Sequence, residues 1–201
     1  MKKVLVVLAA AALLFGCACN KKKKEVTVKQ NLNVEQVATT DKEYMFLNYG
    51  GNYKWFESCI LLKDYLDEEN DGTIAGISNV FQVIKEQGKS ADVFVVLAAH
   101  TTDTTAYDKK QGFWVEDSPL EVKEIKLTYK EAYDKIMAVN YSKPHSKNCI
   151  LRKPIGPKTC NPQYVFGNIQ SQLWVDAVTG EVRQSNPAFP EDLKMPLGEW
   201  P

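Results

Sequence analysis

Lys54–Ile84 reads KWFESCILLKDYLDEENDGTIAGISNVFQVI, two apolar runs on either side of Asp67-Glu68-Glu69-Asn70-Asp71-Gly72. Asp-Gly between apolar runs is a hairpin signal, because glycine reaches positive φ at no steric cost. In the first run Phe56, Ile60, Leu62 and Leu66 share parity, as one face of a strand requires. Trp55, Cys59, Leu62 and Leu66 also fit helical spacing, as do Ile74, Ile77, Phe81 and Ile84, so periodicity alone leaves both forms open. The β-branched content and the short distance between turn signals decide for strands. The stretch thus predicts an antiparallel hairpin and a sheet-based fold.

Working outward, Glu43–Tyr49 reads as a strand closed by Gly50-Gly51, and Asp92–Thr101 as a buried strand built on Val93-Phe94-Val95-Val96-Leu97. Asp103–Lys110 reads as a polar turn and Gly112–Glu116 as the next strand, which makes residues 43–120 an antiparallel β meander. One helix follows. Thr128 and Glu131 form a capping box, and Tyr129, Ala132, Tyr133, Ile136 and Val139 place one apolar stripe along it. Asn140 and Pro144 end it. Two hairpins come next, one turning at Pro154-Ile155-Gly156-Pro157 and one joining Gln172–Val178 to Glu181–Gln184 through Thr179-Gly180. Residues 186–201 carry four prolines and read as an irregular C-terminal tail. The fold class is α+β, an antiparallel sheet of meander plus hairpins packed on one main helix.

The capped helix, the strand pair after it and Leu173-Trp174-Val175-Asp176-Ala177-Val178-Thr179-Gly180-Glu181-Val182 resemble a PepSY-type module. In that family a helix packs on a small antiparallel sheet whose last hairpin reads aromatic-Val-Asp-Ala-x-Thr-Gly-Glu-Val. The resemblance covers residues 121–185. It implies peptidase modulation or protein binding, and it supplies no catalytic residues. A degenerate second copy, as in tandem αβ inhibitor-like proteins, stays open, with no repeated motif to mark it.

At the N-terminus Lys2 and Lys3 precede the apolar run Val4–Phe15, and Gly16 precedes Cys17. The run is shorter than the roughly 20 residues a membrane-spanning helix needs. A charged start, a short apolar centre and a small residue before the cut describe a secretory signal. Gly16-Cys17 makes it resemble a bacterial lipoprotein signal. The resemblance implies a signal peptide over 1–16, lipidation at Cys17 and a membrane partner held through that lipid anchor. Residues 17–42 are polar and read as a flexible tether, with room for a short ordered piece around Leu32–Val37. Lys21–Lys24 either meet anionic headgroups or only keep the tether solvated. The lipoprotein resemblance implies a place in the bacterial cell envelope, and because the Lys-rich, acid-poor residues after Cys17 do not resemble the acidic surface-export signals of some lipoproteins, it implies the outer membrane facing the periplasm.

The chemistry offered by the rest is sparse. Charges balance at 25 Lys+Arg and 25 Asp+Glu, with 44% apolar residues, which excludes a disordered chain and a basic nucleic-acid binder. Cys149 and Cys160 sit symmetrically about Pro154-Ile155, so a hairpin would place them opposite each other, and export permits a disulfide between them. Cys59 then reads as a small buried apolar residue. A zinc set of Cys59, His145, Cys149 and Cys160 lacks paired spacing, and a calcium loop at Asp67–Gly72 lacks its Glu at the twelfth place, where Ser78 stands. Cys59, His100 and Asp103 are the only imaginable catalytic set, without a nucleophile motif around them. No cofactor motif is present. From Lys135 through Val175 there is no Asp or Glu, and Lys147, Arg152, Lys153 and Lys158 lie in one Pro/Gly-rich loop beside Tyr164. That loop reads either as a site for a protein, peptide or anionic glycan or as a basic segment lying against acidic residues of its own chain. The expected function is a lipid-anchored, non-catalytic binding protein. The alternatives are an inhibitor or modulator of an exported peptidase and a hydrolase using Cys59 or His100.

Overall fold

The computed structural model describes residues 32–63, 72–87, 90–115, 117–139, 147–168 and 171–189. The signal, Cys17, Lys21–Lys24, residues 67–71, His145 and the tail from Pro190 lie outside them. Among the described residues there are two helices, Val34–Tyr49 (α1) and Tyr129–Ala138 (α2), with a 3₁₀ turn at Val122–Glu124. The strands are Tyr53–Leu62 (β1), Ile74–Gln87 (β2), Ser90–Thr101 (β3), Thr105–Gln111 (β4), Asp117–Ser118 (β5), Asn148–Pro154 (β6), Gln163–Asn168 (β7), Ser171–Asp176 (β8) and Val182–Arg183 (β9). They form one antiparallel sheet in the order β4-β3-β2-β1-β6-β7-β8-β9, with β5 paired to the end of β6.

The order reads outward in both directions from the β1–β6 seam, where Glu57 faces Arg152 and Ile60 faces Cys149. Each side of the seam is a helix followed by a four-strand meander, α1-β1-β2-β3-β4 and α2-β6-β7-β8-β9. The sheet therefore runs unbroken across the division near residue 120. One row crosses it from β3 to β8 through His100, Ile77, Ile60, Cys149, Phe166 and Leu173, all buried. Both helices lie on that face. Tyr129 and Tyr133 of α2 contact the Phe166 ring, and Asp41 of α1 bonds His100. Buried Phe56, Val80, Val95, Val165 and Trp174 stand apart from this cluster.

The hairpin expected over 54–84 is present as β1 and β2, with one difference. A bulge between Trp55 and Glu57 buries both Trp55 and Phe56 and puts Ser58, Ile60 and Leu62 on the helix face. The capping box of α2 is formed, Thr128 and Glu131 each accepting from the other's amide. The last hairpin is closed by Asp176, whose carboxylate accepts the Val178 and Thr179 amides. Burial works to raise its pKa, but those amides together with Asn161 and Gln163 bring it below the usual carboxylate value.

Four expectations are corrected. Residues 34–42 are not tether and 43–49 are not a strand: both belong to α1, started by Asn33, whose side chain accepts the Gln36 amide at 2.9 Å. The sheet consequently carries two helices rather than one. The fourth strand is Thr105–Gln111, not Gly112–Glu116. As an edge strand it pairs only with β3 and so tolerates Asp108, Lys109 and Lys110, and Gly112 at φ 135° turns the chain out of it. Val139 is 51% exposed, because the helix ends one residue earlier, at Ala138.

Gly72 packs against the Tyr133 ring at φ 80°, and a Cβ there would approach ring atoms to 2.7 Å. Gly72→Ala should cost about 2 kcal/mol or more in urea unfolding, through overpacking and left-handed backbone strain. Gly51→Ala, with no atom within 4 Å, should be near neutral; equal losses in the two variants would contradict the packing described.

Candidate functional site

The most concentrated polar chemistry lies beneath α1. Asp41 points from the helix into the sheet and is completely buried. Its Oδ1 accepts from His100 Nε2 at 2.8 Å and from the Tyr107 hydroxyl at 2.8 Å. Its Oδ2 accepts from Asn79 Nδ2 at 2.7 Å. Asn79 Oδ1 in turn accepts from the Ser58 hydroxyl, and His100 Nδ1 meets Thr105 Oγ1 at 3.1 Å. Five side chains from α1, β1, β2, β3 and β4 thus close one network, with Thr105 as its sixth member. Tyr107 also stacks on Tyr44 of α1, ring centroids 3.5 Å apart. Burial, then the neighbouring Asp41 charge, pushes the Tyr107 hydroxyl far above its ordinary pKa, so it stays a donor.

This arrangement anchors rather than reacts. The side chains of His100 and Asp41 are 0% exposed, so neither presents an atom to a solute. Nor is the imagined set of Cys59, His100 and Asp103 assembled. Cys59 pairs with Ser78 and Ile150 on the face opposite His100, and Asp103 lies in the exposed β3–β4 turn, its amide on Thr101 Oγ1.

The expected Cys149–Cys160 disulfide is corrected. Cys149 lies opposite Phe166 in the β6–β7 register, not opposite Cys160, because the connecting loop runs from Ile155 to Pro162 rather than turning tightly at Pro154-Pro157. Cys59, Cys149 and Cys160 are free thiols. Burial raises all three above the ordinary thiol pKa, most of all the enclosed Cys149. Among the described residues no cluster suited to a metal ion occurs.

Of the four basic residues, Lys153 and Lys158 line one small cleft of about 90 Å³ with Ser118, Ile155, Thr159 and Cys160. Arg152 Nε donates to buried Asp117 at 2.6 Å, and Lys153 Nζ to Glu124 at 3.0 Å. Tyr164 is core, its hydroxyl donating to Glu35 and to the Leu127 carbonyl. Lys147 and Lys158 stay exposed, and the Lys158 amide binds the Ala188 carbonyl. Arg152 and Lys153 therefore serve the chain's own structure.

The surface feature the sequence did not reveal is a groove beside α1. Thr39, Lys42, Glu43, Phe46, Leu47, Tyr53 and Val122 line a space of about 580 Å³. Phe46 is 62% exposed and Leu47 83%. The Lys42–Glu121 pair at 2.6 Å and the Tyr53 hydroxyl on the Lys42 carbonyl tie the groove walls together. Phe46 and Leu47 lie off the buried stripe of Val34, Val37, Ala38, Asp41 and Met45. Recognising the Asn33 cap would have exposed that mismatch. Comparisons with protein families, with curated proteins and with solved structures find no match to this chain.

Removing Asp41 leaves three donors without their acceptor in a dry interior. Asp41→Ala should cost about 3–5 kcal/mol in urea unfolding, against about 1 kcal/mol for Tyr107→Phe; a loss below 1 kcal/mol for Asp41→Ala would contradict the network. Under native, non-reducing conditions iodoacetamide should reach Cys160 and Cys59 slowly and Cys149 only after unfolding. Recovery of a Cys149–Cys160 linked peptide would overturn the register.

Proposed function

We propose that the chain is a lipid-anchored, non-catalytic protein of the bacterial cell envelope that binds an apolar segment of a protein partner in the groove beside α1. The observation that carries this reading is the placement of Phe46 and Leu47. They stand in water on a helix whose other face is fixed by the Asp41 network. A rigid element presenting large apolar side chains loses little entropy on binding, which is what a docking surface requires. The groove is lined by apolar Phe46, Leu47, Tyr53 and Val122 together with Thr39, Lys42 and Glu43, suited to a few apolar side chains of an extended or helical segment. An anionic glycan fits less well, since Arg152 and Lys153 already hold carboxylates.

Modulation of an exported peptidase is the second reading. It is favoured by the two helix-on-meander halves, each of the general form the PepSY resemblance implies for residues 121–185. On this reading the chain is a doubled PepSY-like unit, and its partner is the peptidase or its precursor.

A photo-crosslinking side chain at position 47 should capture a protein partner in native membranes, and Phe46→Asp should abolish the adduct while leaving the melting temperature unchanged. Capture from positions 147 or 158 instead, insensitive to Phe46→Asp, would return the binding surface to the basic segment of Lys147, Arg152, Lys153 and Lys158 beside Tyr164.

A further inference from the structure

After β4 the chain crosses the sheet face opposite the helices, and it is fixed there at several points. The Trp114 amide donates to Gln82 Oε1 at 2.6 Å, and its indole Nε1 donates to Asp117 Oδ2 at 3.3 Å. Asp117 is held by Arg152 at 2.6 Å and by β5 pairing with Pro154, and Leu120 then bridges to Trp55. With Trp114 drawn inward, its neighbours are left facing water. Phe113 is 71% exposed and Val115 74%. Ile84, two residues along β2 from Gln82 and on the same face, is also exposed. The result is a pinned apolar spike in a connection that a soluble protein would ordinarily make polar.

We infer that Phe113 and Val115 insert into the headgroup region of a phospholipid bilayer and set the orientation of the domain on it. The inference rests on the lipid-anchored reading of Cys17. A bilayer demands no matching shape, and shallow insertion of aromatic and aliphatic side chains is effective when an acyl anchor already confines the protein. Lys110, exposed near the end of β4, stands next to the spike and makes a surface contact with Asp108 at 2.6 Å. Fifteen residues lie between Cys17 and Asn33, which makes sixteen Cα–Cα steps. At about 3.3 Å per step the extended chain spans at most about 50 Å, about twice the length of α1, so an anchored Cys17 keeps the domain within that distance of the bilayer.

The test places a benzoylphenylalanine at position 113, and separately at Ile155, an equally apolar exposed site elsewhere. The protein is purified from membranes, the acyl mass on Cys17 is read by mass spectrometry, and the protein is reconstituted in phosphatidylethanolamine/phosphatidylglycerol vesicles at about 3:1. Lipid adducts should form at 113 at least tenfold more than at 155, and Val115→Asp should lower them at least fivefold with the fold intact. Equal yields at the two sites, or adducts to protein at 113, would overturn the inference. If Cys17 carries no acyl group the anchor reading fails by itself. The same vesicles added to the soluble protein then decide the spike: adducts at 113 sustain it, and their absence overturns it.

Discussion

Asp41 holds the first half of the molecule in register. Its carboxylate is buried where no solvent reaches it, which is costly unless every oxygen is served. His100, Tyr107 and Asn79 serve it from three different strands. The apolar contacts of Val34, Val37, Ala38 and Met45 attract the helix to the sheet but have no direction. The hydrogen bonds are directional, and they permit one rotation and one axial position of α1. That position puts Phe46 and Leu47 on the outside beside Tyr53 and Val122, so the groove is a consequence of the buried network.

The second half reaches the same architecture by other means. Its helix is shorter and is seated by rings, with Tyr129 and Tyr133 against Phe166 and Tyr129 against Tyr164. No buried carboxylate anchors α2 among the described residues. The halves are joined through backbone pairing at the β1–β6 seam and through Tyr164, whose hydroxyl reaches Glu35 of α1. Burial and then the Glu35 charge drive that hydroxyl far above its usual pKa, which keeps the proton in the bond. The ion pairs Arg152–Asp117 and Lys153–Glu124 fasten the connection between halves onto β6.

What could be read from the sequence was local. The Asp71-Gly72 hairpin signal, the apolar run Val93–Leu97, the Thr128/Glu131 box and the Asp176–Glu181 turn each lie within a few residues, and each is present as β1–β2, β3, the α2 cap and the β8–β9 turn. α1 was hidden because Asp41 interrupts its apolar stripe among Thr39, Thr40 and Lys42, so a buried face looked polar. β4 was hidden because an edge strand needs no apolar alternation. The Cys149 register failed because loop length, not symmetry about Pro154-Ile155, sets the pairing of β6 with β7. The site was least legible of all. Arg152 and Asp117 are 35 positions apart and His100 and Asp41 are 59 apart, and nothing local announces such partners.

Amide hydrogen exchange of the full chain, read residue by residue, tests the central claim most directly. If the Asp41 network docks α1 as an integral part of the fold, the amides of Ala38, Asp41 and Met45 should exchange as slowly as those of Ile77 and Phe81 in β2, opening only with global unfolding. Exchange of residues 34–49 at the rate of a free polypeptide while β2 and β3 remain protected would contradict it, and the groove beside the helix would then have no rigid wall.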